Sequence, residues 1–244
     1  MTFPSWTWML LVSIIACAPG IALGQNGKTV DHNLNGWFMY FGDHPVKGKL
    51  GVHLEGQWRR HNLITRGQQL LLRPAINYEI NPNLSLSVGY AFVATHRYGS
   101  LPVAFPFDEH RLYQQISAKQ RFGKINVEHR FRLEQRWLER KIGDGPPQWR
   151  YQDRFRYFVK ATVPLSGKWY FGAYNEIFLN IRRPPGVTLF DQNRAYAAVG
   201  ARLNPATCIE VGYLQQTLSR LGGRAFEYNH TLQIAIFSNI QLRR

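Results

Sequence analysis

The stretch WRYQDRFRYFVKATVPLSGKWYFGAYNEIFLNIR, Trp149 to Arg182, reads as two long strands joined by the tight turn Pro164-Leu165-Ser166-Gly167-Lys168. One alternate set of the first strand is Tyr151, Phe155, Tyr157, Val159, Ala161 and Val163; the other is Arg150, Gln152, Arg154, Arg156, Phe158, Lys160 and Thr162. The second strand sets Trp169, Phe171, Ala173, Ile177 and Leu179 against Tyr170, Gly172, Tyr174, Glu176, Asn180 and Arg182. A period of two with one apolar and one charged face is the signature of an antiparallel strand. Strands of soluble sheets average about 5 to 6 residues, and these run well past that. They suit a bilayer, which takes about 9 to 11 tilted residues with apolar side chains toward lipid and polar ones toward a wet interior.

The chain has 244 residues, 45% apolar and 14% aromatic, enough for one large β domain. No apolar run after the N-terminus approaches about 20 residues, so membrane residence requires a barrel. Met1 to Gly24 carry no Lys, Arg, Asp or Glu and hold the apolar run Trp8 to Ala16, closed by Ala22-Leu23-Gly24. This is the pattern of a signal peptide with Gln25 as the first mature residue, followed by a periplasmic lead-in to residue 34 and a barrel from 35 to 244. A competing reading takes Ile14-Ile15-Ala16-Cys17 as a lipoprotein box with Cys17 acylated. Without Cys17, Cys208 has no intrachain partner. The net charge of +15 then belongs to the mature chain. In an envelope such a charge meets outer-membrane lipid, lipopolysaccharide phosphates and anionic solutes rather than nucleic acid.

The alternation of the opening hairpin recurs along the chain. Candidate strands are Lys49 to Arg59, Gln69 to Ile80, Leu84 to Ala94, His110 to Phe122, Lys124 to Leu138, the two of the hairpin, Asn193 to Leu203, Thr207 to Gln216 and Phe226 to about Ile240. Pro74 is a defect in the second of these, expected to mark a bulge or weak pairing. Short connections alternate with long ones, as periplasmic turns and outer loops do in outer-membrane barrels. The expectation is an all-β transmembrane antiparallel barrel of ten strands, a monomer with both chain ends in the periplasm. The short segment Asn35 to Phe41 is extra, and with an undetected partner it makes twelve. Trp58, Trp137 and Trp149 fall at loop-side strand ends and Trp169 at a turn-side end, as two aromatic girdles would require. The chain ends Gln241-Leu242-Arg243-Arg244, read as a short overhang beyond the last strand.

Several pieces carry a family likeness: Arg154-Phe155-Arg156-Tyr157 before Pro164-Leu165, Asn175-Glu176-Ile177-Phe178-Leu179-Asn180, Phe190-Asp191-Gln192-Asn193-Arg194 and Gly212-Tyr213-Leu214-Gln215. Together they resemble the bacterial outer-membrane barrels of the domain of unknown function 2490 family, over most of the mature chain and most specifically from about Arg150 to Gln216. The resemblance implies a barrel and an envelope location. It brings no activity, cofactor or catalytic residue.

No catalytic motif stands out. The eight histidines are scattered singly, with no cysteine cluster, no Gly-x-Ser-x-Gly elbow and no phosphate loop, and no cofactor or metal is expected. The positive signal is the charged face of the strands between Lys124 and Arg182. It carries Arg130, Arg132, Arg136, Arg150, Arg154, Arg156, Lys160 and Arg182 against Glu128, Glu134 and Glu176, with Asn180 beside them. Such a lumen either binds and passes small anions or is a plug of Arg–Glu pairs in a structural, lipopolysaccharide-contacting barrel; an outer-membrane enzyme is the third reading. Asp191 and Arg194 are candidates for a rim contact, or merely a polar strand start. Within the hairpin, the register centred on Ser166 sets Val163 opposite Trp169, Arg156 opposite Glu176, Arg154 opposite Phe178 and Gln152 opposite Asn180. It predicts an Arg156–Glu176 ion pair inside the barrel.

Overall fold

The structure is a computed structural model and describes residues 29–103, 105–141 and 145–242. The expected signal peptide at 1–24, Cys17 and the first part of the lead-in lie outside the described residues. Eleven strands follow one another: β1 (Thr29–Lys47), β2 (Leu50–His61), β3 (Arg66–Asn81), β4 (Leu84–Thr95), β5 (Phe107–Phe122), β6 (Ile125–Arg140), β7 (Gln148–Pro164), β8 (Trp169–Arg182), β9 (Phe190–Asn204), β10 (Thr207–Arg220) and β11 (Ala225–Ser238). Each pairs with its neighbours in sequence, and β1 pairs with β11 to close the barrel.

Every expected strand is present, but the count of ten or twelve is corrected to eleven. The short candidate at Asn35 to Phe41 is the middle of the longest strand, β1, which begins inside the expected lead-in and runs on through Pro45. An odd number of up-and-down strands makes the first and last run in the same direction. The closing pair is accordingly parallel, in unbroken register from Thr29 opposite Ala225 to Gly42 opposite Ser238. The outer ends of the first and last strands therefore do not share one end of the barrel, as the expectation for the chain ends would require: Thr29 of β1 lies at the long-loop end and Ser238 of β11 at the short-turn end. The turns at 48–49 and 123–124 place Gly48 and Gly123 at φ of +57°, the left-handed conformation that tight hairpins need. Beyond β11 the backbone N–H of Leu242 donates to Pro45 O at 3.0 Å, so the expected overhang is tied to the end of β1.

The pleat distributes side chains inside-out relative to a soluble protein. Ile76, Val88 and Leu72 are 64, 61 and 50% exposed on the outer face, whereas Glu134 and Asn229 are fully buried within. Pro74 removes a donor from the ladder, and the β3–β4 register resumes unshifted from Leu72 opposite Phe92 to Ala75 opposite Gly89. Trp58, Trp149 and Trp169 stand exposed on the outside, while Trp37 points inward and is buried.

The expected register of the β7–β8 hairpin is corrected by one pair-step. Arg156 lies opposite Phe178, Phe158 opposite Glu176, Arg154 opposite Asn180 and Val163 opposite Phe171. The turn spans 165–168, with Gly167 at φ of +61° and Leu165 N–H donating to Trp169 O at 2.9 Å. The pairing therefore centres the hairpin on Gly167 rather than on Ser166.

Candidate functional site

Six of the eleven strands send these arginines into the lumen: Arg59 from β2, Arg73 from β3, Arg111 from β5, Arg130, Arg132 and Arg136 from β6, Arg154 and Arg156 from β7, and Arg194 from β9; Lys160 of β7 joins them in one lining. One cavity of about 810 Å³ reaches from Pro45, Lys49 and Asn83 at the turn end to Tyr98, Arg140 and Arg220 at the loop end.

The carboxylates within are shared. Glu134 accepts from Arg154 Nε at 2.9 Å and Arg156 Nη1 at 2.6 Å; Glu176 accepts from Arg156 Nη2 at 2.7 Å and Arg130 Nη2 at 2.9 Å. Glu109 takes Arg111 through both oxygens at 2.8 Å, and Arg136 as well. Each glutamate thus holds two guanidiniums in place and neutralises one charge. Arg154 also reaches Asp191 at 2.7 Å, and Lys160 reaches Glu210 at 2.6 Å rather than Glu128, which faces it across the β6–β7 ladder.

A second set of arginines is held by neutral groups. Arg59 donates to Gln57 and Gln69 and lies 4.0 Å from the centroid of Trp37. Arg132 donates to Gln115 at 2.8 Å, lies 4.3 Å over Tyr113, and comes no closer to Glu134 than 3.9 Å. Arg194 stands over Trp37 and Phe178 at 5.1 and 4.7 Å, with Glu176 at 3.8 Å. Amide and ring contacts fix these guanidiniums without cancelling their charge.

Most of the expected cluster is therefore brought together: Arg130, Arg132, Arg136, Arg154, Arg156, Lys160, Glu176 and Asn180 line the lumen with Glu128, and Glu134 is buried behind Arg154 and Arg156, which it holds. Two members are not there. Ile181 is an extra residue in β8 where the pairing slips between Arg154–Asn180 and Asp153–Arg182, and this bulge turns Arg182 outward, 6.0 Å over Tyr151. Arg150 lies at the loop end, where its Nη2 donates to Pro185 O at 3.1 Å. Of the rim candidates, Arg194 is a buried residue of the mid-lumen, and Asp191 is the extra residue of a bulge opposite Phe178 and Leu179 that swings it onto Arg154. Arg59, Arg73, Arg111 and Trp37 were not singled out from sequence, although the same alternation, carried into β1, β2, β3 and β5, puts each on its inward set.

At the loop end, residues 96–103 fold over the mouth. Tyr98 is buried there, donating to Glu227 Oε1 at 2.8 Å and accepting from Arg220 Nη2 at 3.1 Å, and Ser100 N–H donates to Asp31 at 3.2 Å. Burial pushes the Tyr98 hydroxyl up to about 12, so it remains a neutral donor. The connection between β4 and β5 is thereby latched to β1, β10 and β11.

A family model described as a protein of unknown function (DUF2490) matches residues 34–227. The chain belongs to the DUF2490 family. An uncharacterized protein of Methylorubrum extorquens is 29% identical over 195 residues, 78% of this chain and 81% of its own length. Among solved structures, the NanC porin covers 79% of this DUF2490 chain and 91% of itself at 12% identity and a TM-score of 0.46. A second porin covers 70% and 53% of the two chains at 15% identity and a TM-score of 0.36. Both scores are below 0.5, and neither likeness carries a function to this DUF2490 protein.

Proposed function

We propose that the protein is an outer-membrane barrel that lets small anionic solutes pass through its lumen. The observation that carries this reading is the cavity reaching both ends of the barrel, lined by arginines in excess of the carboxylates that hold them. The exterior supports the location. Outward residues such as Leu72, Ile76, Val88, Ile116 and Val199 are 48 to 64% exposed around the whole circumference, an apolar band far larger than the few hundred Å² a soluble monomer tolerates. Lipid covers such a band, lipopolysaccharide and phospholipid headgroups meet the exposed arginines at its edges, and Trp58, Trp149 and Trp169 sit where an interface would hold them.

Inside, cations fixed in a low-dielectric sleeve raise the local concentration of anions and exclude cations. The competing reading is a structural barrel whose ion pairs plug the lumen. Refolded protein in a planar bilayer separates the two: the channel reading expects discrete conductance steps, and a seal unchanged by inserted protein contradicts it.

A further inference from the structure

Arg59, Arg73, Arg132 and Arg194 form an arc around the waist of the lumen. Arg59 and Arg194 share Trp37, Arg73 and Arg132 share Tyr113 at 5.7 and 4.3 Å, and all four line the one cavity. The set is under-paired. Of its four members only Arg73 has a carboxylate within hydrogen-bond distance, Glu55 at 2.5 Å; Arg132 and Arg194 come no closer than 3.9 Å to Glu134 and 3.8 Å to Glu176.

Three of the four also present a buried N–H with no acceptor among the described residues: Nε of Arg73, Nη1 of Arg132 and Nε of Arg194. These residues are 4, 2 and 8% exposed, so the orphaned donors belong to side chains held inside the barrel. Buried donors and like charges so placed are each costly unless something accepts from them and carries opposite charge. Water meets the first need and not the second; a chloride ion meets the charge but offers no pair of oxygens to a planar fork. An anion with two or more oxygens meets both.

We propose that this arc is a binding site for a multivalent oxyanion, either phosphate or a small dicarboxylate, which pauses at the waist during passage. The inference rests on the anion-channel reading and adds a saturable site to it. Trp37 lies against Arg59 and Arg194, and Tyr113 lies against Arg73 and Arg132, so the rings position the guanidiniums while Arg73 keeps its bond to Glu55. The glutamines holding Arg59 and Arg132 are neutral, so the site keeps its charge when empty.

The test uses the refolded full chain, with chloride current in a bilayer as baseline and inorganic phosphate and succinate as separate probes, alongside calorimetric titration of each in detergent. Saturable binding and interruption of the chloride current by either probe are expected; response to phosphate alone or succinate alone names the oxyanion class. Arg59→Gln and Arg194→Gln, on different strands, should each raise the half-blocking concentration about tenfold, the loss expected for a hydrogen bond to a charged group. Arg194→Lys should keep the chloride preference and still raise the half-blocking concentration, by no more than Arg194→Gln does, because it keeps charge without the fork. Chloride current indifferent to both probes, or variants blocked like the wild type, overturns the site while leaving the channel. Binding by calorimetry without any chloride current retains the site and overturns the channel.

Discussion

Arg156 binds Glu176 through Nη2 and Nε, at 2.7 and 3.1 Å from Oε1, although the two residues are not opposite each other on β7 and β8. The pair is diagonal: Arg156 faces Phe178, and Glu176 is the next inward residue along β8. Diagonal neighbours stand about 7 to 8 Å apart, a gap a long side chain closes. Arg156 then has a nitrogen left for Glu134, and Glu176 has room for Arg130.

Glu176→Gln should therefore destabilise the barrel by about 3 kcal/mol, because it leaves Arg130 and Arg156 buried with one carboxylate fewer. Arg194→Gln should cost much less, since it removes a charge whose nearest carboxylate is at 3.8 Å. Urea midpoints of the two variants, read by the heat-dependent gel shift, check the order; equal losses would show that the network is not what Glu176 supports.

Selectivity should reside with the arginines that neutral groups hold. The double change Arg59→Gln and Arg194→Gln is expected to lower the chloride-to-potassium permeability ratio severalfold, and more than Arg154→Gln does, because Arg154 sits between Glu134 and Asp191. Reversal potentials of the three proteins in a salt gradient decide it, and a larger effect at Arg154 would contradict the assignment.

Much of this was legible in the alternation of apolar and polar residues, which marks every strand from β2 to β11 and puts Arg156 and Glu176 on one face. Three things were not. The inward set of β1 begins Asp31, Asn33, Asn35, so half the strand looks like a polar lead-in, and Gly42 and Pro45 look like its end. A rule of even strand number then favoured ten. Period-two counting also cannot see an extra residue: the bulges at Ile181 and Asp191 exchange inside for outside, which is why Arg182 leaves the lumen and Asp191 enters it.

The parallel seam makes a prediction that no ten- or twelve-stranded barrel shares. Leu34 lies opposite His230 on the outer face. With Cys208→Ser as background, Leu34→Cys and His230→Cys should be joined by a short thiol cross-linker in the folded protein, and Leu34→Cys with Phe226→Cys should not. The reverse pattern would show that β1 and β11 do not close the ring in this register.

Tyr98 should act as the latch of the mouth. Its hydroxyl is raised above the usual tyrosine value of 10.0, so its contribution is fully present below pH 10 and is lost as pH climbs through about 12. Tyr98→Phe removes a hydrogen bond to a charged group, and opening of the loop should become about tenfold more frequent. Trypsin cleavage after the exposed Arg97 reports it; an unchanged rate would mean the latch lies elsewhere.

The most direct measurement for the account as a whole is the reversal potential of single channels of the refolded wild type under a potassium chloride gradient. Resolved openings with chloride more permeant than potassium are expected. Openings that prefer potassium would contradict this, because an arginine-lined waist would then not govern what passes.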